Sequence, residues 1–106
     1  MAKFNFKKFN EQERVALERA RENHPGEFYV EIDFATGQTD GAPNDETKEI
    51  TQYFAARGLD SEIITLNGPG GGWPSVFVVG TFDKITAWAN SAEWKDSIDL
   101  GFIKPL

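Results

Sequence analysis

Ile63-Ile64-Thr65-Leu66-Asn67-Gly68-Pro69-Gly70-Gly71-Gly72-Trp73-Pro74-Ser75-Val76-Phe77-Val78-Val79 holds two apolar runs, Ile63 to Leu66 and Val76 to Val79, on either side of a glycine-rich bend. Glycine reaches backbone angles closed to other residues and proline fixes its own, so the chain turns between the runs. The stretch reads as a long-looped β-hairpin, and the rest of the fold is arranged around it. Trp73 beside the loop is a large, partly polar side chain of the kind that grips a partner.

Upstream, Glu27 to Ala35 is the clearest strand. Phe28, Val30, Ile32 and Phe34 fall on one side, and Tyr29, Glu31, Asp33 and Ala35 on the other. Before it, Glu11 to Glu22 is rich in helix formers, with Val15, Ala16, Leu17 and Ala20 as its thin apolar content. Asn10 and Glu13 form a capping-box-like pair, and His24-Pro25-Gly26 ends the helix. Residues 1–9, with Phe4, Phe6 and Phe9, read as a short strand or an ordered arm that docks in cis or onto a second copy. After the strand, Thr36 to Pro43 is a polar loop, and Asn44 caps a helix with Asp45 and Glu46 in its first turn. Ile50, Tyr53 and Phe54 make that helix amphipathic, and Arg57-Gly58-Leu59 stops it. Beyond the hairpin, Phe82 to Trp94 is a further amphipathic helix capped by Thr81 or Asp83, and Ile98 to Ile103 is a last edge strand.

From Glu27 onward the order is β-α-β-β-α-β. The expected class is α+β, a ferredoxin-like sandwich: a four-stranded, mostly antiparallel sheet with two helices on one face. The first helix is extra to that plan and is expected to lie across the open face near Tyr29. Residues 1–26 are the arm and helix, part of the same domain as the 27–106 unit.

Composition narrows the chemistry. A hydrophobic share of 40% with nine Phe suits a packed core. Without cysteine there are no disulfides, thiolate metal sites or cysteine nucleophiles. No apolar run approaches the roughly 20 residues that span a bilayer, and the basic N-terminus lacks a signal core. The expectation is a cytoplasmic protein without membrane contact. A net charge of −6 argues against nucleic acid, whose phosphates call for Lys and Arg.

Each candidate chemistry falls short of its pattern. The glycine bend lacks the Gly-Lys-Ser/Thr and following helix of a phosphate loop. Asp40, Asp45 and Glu46 lack calcium-loop spacing, so no metal is expected. His24, the single histidine, sits where a ring meets helix-terminal carbonyls. Glu31 and Asp33, two apart on one strand face, read as a solvated face. No catalytic residue and no cofactor are assigned.

The residues point instead to contact with another molecule. The expected binding set is Asn67, Gly68, Gly70, Gly71, Gly72 and Trp73 at the hairpin, with Tyr29 and Trp94 as further aromatic contacts. A protein partner is the leading expectation, in the manner of small accessory or inhibitor proteins such as those carried by viruses of bacteria. The alternative is a sensing domain, dimeric, that holds a nucleotide or amino acid by its anionic group at Gly68 to Gly72.

Overall fold

All six residues of strand β3, Ser75–Gly80, are buried, so both faces of this strand are covered. The computed structural model describes residues 6–34, 46–65, 74–91 and 94–106. Among them, helix α1 (Phe6–Asn23) precedes strand β1 (Phe28–Asp33), helix α2 (Glu46–Ala55) and strand β2 (Asp60–Thr65). After β3 come helix α3 (Phe82–Ala89), a 3-10 turn (Leu100–Phe102) and strand β4 (Lys104–Pro105). The protein is therefore α+β, with a four-stranded antiparallel sheet ordered β2-β3-β1-β4 and three helices among the described residues.

Alternation along the strands separates two cores. On one face Val30, Ile32 and Phe34 meet Val76 and Val78, and Ile50 and Phe54 of α2 and Ile85, Trp88 and Ala89 of α3 close over them. On the other face Phe77, Val79 and Ile64 meet α1 through Ala16 and Ala20, both fully buried. The small alanines let the helix backbone come close to the sheet. Arg19 of α1 also reaches Glu62 of β2 at 3.3 Å. The hairpin strands pair from Asp60↔Val79 to Thr65↔Ser75, with a register shift between Ile63 and Thr65. Ile63 and Ile64, adjacent on β2, alternate into different cores.

The ends of the elements follow local chemistry. Gly58 has φ +73, and the amides of Gly58 and Leu59 bond back to the carbonyls of Ala55 and Phe54. This is a Schellman stop that turns Leu59 into the core beside Phe54. Thr81 caps α3 by accepting from the Lys84 amide. Behind α1, the His24 ring bonds carboxylates and not carbonyls: Nδ1 meets Glu27 at 2.8 Å and Nε2 meets Asp60 at 2.6 Å. The ring ties the end of α1 to β2.

Several sequence expectations change. α1 begins at Phe6, so Asn10 lies inside the helix and does not cap it. Phe9, Glu13, Ala16, Leu17 and Ala20 fall on one stripe, and burial of Phe9 in the α1 core outweighs the capping signal. Phe9 thus docks in cis, while Val15 faces outward at 40% exposure. α3 stops at Ala89, where Asn90 caps it, so Trp94 lies beyond the helix. The expected strand over 98–103 is a turn instead. Asp99 accepts from the Gly101 amide and winds the chain into the 3-10 turn, leaving only Lys104–Pro105 to pair with β1. Phe4, the loop 36–43 and Asn44 lie outside the described residues.

Candidate functional site

The stripe of α1 is too narrow to cover the whole sheet. Its buried contacts fall on β2 and β3, and the β1–β4 end of that face stays open. There, α1, β1 and the chain after α3 enclose a cleft of about 450 Å³. Glu13, Arg14 and Leu17 form its helix wall, Tyr29 and Glu31 its floor, and Phe102 and Lys104 its far side. Arg14 is held by Glu18 at 2.7 Å.

Glu13 belongs to the inward stripe of α1, and Glu31 follows Tyr29 by one alternation on β1. The two carboxyls therefore meet across the cleft and share a hydrogen bond. Burial of the Glu31 carboxyl, the bond to Glu13 and the negative charges of Glu13 and Asp33 push its pKa up to about 8, against the pull of Lys104. Glu31 still keeps part of its surface open to solvent. A carboxyl that holds its proton at neutral pH donates a hydrogen bond, and an arriving cation displaces that proton.

Phe102 is 64% exposed, an unusual setting for a phenyl ring. It lines the cleft and also a second hollow, a groove of about 410 Å³ beside the outer edge of β1, walled by Trp94, Ile98 and Asp99. Among the described residues, no group of three or more His, Asp or Glu side chains converges to hold a metal ion. No described helix is long and apolar enough to cross a membrane.

Compared with protein-family models, with curated proteins and with solved structures, the chain matches none.

Of the binding residues expected from sequence, Asn67, Gly68, Gly70, Gly71, Gly72 and Trp73 lie outside the described residues. Tyr29 is half-buried on the α1 face, edge-on to Phe77 at 5.2 Å, and lines the cleft. Trp94 is on the opposite face, stacked on Phe34 at 6.2 Å and donating to the Tyr53 hydroxyl at 2.7 Å. The sheet separates these two rings. Sequence reasoning missed Phe102, Lys104 and the pairing of Glu13 with Glu31, while Glu31 and Asp33, read as a solvated face, are indeed exposed. The available signal was a glutamate inside the 9-13-16-17-20 stripe, since an acid on an inward stripe needs a partner.

Proposed function

We propose that this chain is a small, acidic, non-catalytic binding protein on a ferredoxin-like sandwich, acting by protein–protein contact. The topology supports the frame. β3 lies between β1 and β2, neighbouring strands are antiparallel, and α2 and α3 share one face. The observation that carries the function is the position of Phe102: an exposed ring between two hollows, beside the Glu13–Glu31 pair. Exposed aromatics rimmed by charge are typical anchors of protein contacts. These features support a contact at the β1–β4 end of the sheet, with the hairpin tip around Trp73 as a second proposed contact.

Affinity capture from the cells that carry the gene tests this with three proteins: wild type, Phe102→Asp and Trp73→Ala. The expected result is a stoichiometric protein partner that Phe102→Asp loses and Trp73→Ala keeps. Loss with Trp73→Ala alone moves the contact to the hairpin. A wild-type protein that captures no partner removes the binding reading.

A further inference from the structure

We propose that the outer edge of β1 at Glu31–Asp33 takes up an extended basic segment of a partner protein as an added strand, lysine or arginine alternating with an apolar residue. This rests on the binding reading above and names its mode and the chemistry of its partner.

The backbone supplies the first argument. The Leu106 amide bonds to the Glu27 carbonyl on the β4 side, and the Phe34 amide bonds to the Pro74 carbonyl on the β3 side. Successive residues of a strand bond to opposite neighbours, so the N–H and C=O groups of odd-numbered β1 residues face the β4 edge. Strand β4 pairs only with Phe28 and Tyr29. It then leaves the sheet, because the Phe102 amide bonds to Asp99 within the 3-10 turn and does not continue the ladder. Glu31 and Asp33 are left with their edge-facing donors and acceptors unpaired among the described residues. Unpaired edges are the template for strand addition.

The groove supplies the second argument. It runs along Val30–Asp33, and the segment carrying Trp94, Ile98 and Phe102 forms its opposite wall. From Glu31 to Asp33 the edge measures about 7 Å, two strand steps, which suits a short segment. An added strand aligns its side chains with those of β1. Residues opposite Glu31 and Asp33 point to the α1 face, and the residue between them points toward Trp94 and Ile98. Directly opposite positions favour opposite charges. The described residues lining the groove include three acids, Glu31, Asp33 and Asp99, and no cation. A second copy pairing edge to edge would set Glu31 against Asp33 twice with no cation between them, whereas a partner's lysine displaces the Glu31 proton and pairs with the carboxylates, so the groove selects a basic partner.

The test uses the full chain and an acetylated, amidated peptide, Thr-Lys-Val-Lys-Val-Thr. Binding is expected to slow amide hydrogen exchange at Glu31 and Asp33, with both signals followed by NMR. N-methylation of the backbone nitrogens of the two lysines removes the strand bonds that the peptide donates, without touching the protein, and weakens binding roughly tenfold. The isosteric double variant Glu31→Gln, Asp33→Asn weakens it by a similar factor, roughly tenfold. Equal binding of the N-methylated peptide, or of one with its lysines contiguous, overturns the proposal in favour of general attraction to an acidic surface. Protection of the two amides by self-association, read from native mass, overturns it in favour of a second copy. A cellular partner that depends on Phe102 but leaves these amides exchanging freely overturns strand addition alone and preserves the binding reading.

Discussion

The two faces of the sheet are built to different ends. On the α2–α3 face, Phe34, Tyr53, Phe54, Trp88 and Trp94 form a continuous aromatic cluster, with centroids 4.9 to 6.2 Å apart. Its central rings are buried and Arg57 stacks over Tyr53 at 3.6 Å. On the α1 face two alanines set a close but narrow contact, and beside it a carboxyl pair and an exposed phenylalanine stand over bare sheet. Apolar area removed from water is the main source of stability. The closed face therefore holds the fold, while the half-covered face keeps a carboxyl pair and an apolar ring open to solvent.

The largest effect that tests this difference is on the closed face. Phe54 is fully buried and touches Phe34, Tyr53 and Trp88 edge-on. Phe54→Ala is expected to cost about 3–5 kcal/mol and to bring the domain near its unfolding threshold. Urea unfolding followed by tryptophan fluorescence measures it. A loss comparable to that of a surface substitution would mean that the aromatic cluster is not where stability resides.

Next in size is the α1 contact. Ala20 has no exposed surface, so Ala20→Leu forces the helix away from the sheet at a cost of about 1–3 kcal/mol. The near-UV signal of Trp88 and Trp94 is expected to persist, because both lie on the other face. If that signal collapses together with the helix, the two faces fold as one inseparable layer and the contrast drawn between them fails.

How much of the fold and of the site is legible in the sequence depends on which forces are local. The alternation of Phe28, Val30, Ile32 and Phe34 faithfully marks one face of β1, because period-two burial depends on the strand alone. Gly58 and Thr81 work as stop and cap for the same reason. The Asn10 signal puts the start of α1 too late because it is local, whereas Phe9 is stabilised by a sheet far along the chain. At the other end, the weak alternation over 98–103 carries no sign that Asp99 bends the chain. The Glu13–Glu31 pair joins a helix to a strand across a face whose cover no local pattern specifies. Phe102 likewise looked like any other phenylalanine until its neighbours were in place.

A smaller effect separates the faces by pH. The folded Glu31 carboxyl keeps its proton to about 8 while the unfolded one releases it near 4.5. Between these values the folded state binds more protons, so stability falls as pH rises. For His24, burial opposes the charged ring, but the hydrogen bonds to Asp60 and Glu27 outweigh it and raise the pKa. Its contribution is complete below 6.5 and is also lost as pH rises through the folded value. The unfolding temperature is expected to decline from pH 5 to pH 9. Glu31→Gln, neutral throughout, flattens that decline and is more stable than wild type at the alkaline end. Solvent around Glu31 keeps the effect below that of the core substitutions. A decline unchanged in Glu31→Gln would assign the whole pH response elsewhere.

The smallest effect makes the sharpest contrast, because it sets one phenylalanine against another. Phe54 and Phe102 have the same side chain, but Phe102 leaves 64% of its surface in water. Little apolar area is buried there, so its removal forfeits little transfer free energy and opens no cavity. Phe102→Ser is expected to change stability by less than about 0.5 kcal/mol, as exposed positions do. The 3-10 turn persists because its bonds come from Asp99 and the backbone and not from the ring. Equilibrium urea unfolding at neutral pH reads the difference. An unfolding midpoint lowered as far as that of Phe54→Ala would place Phe102 in the core and remove it as a proposed contact. An unchanged midpoint means that the ring's exposed area is not offset by any role in holding the fold, which is the condition a contact residue has to meet.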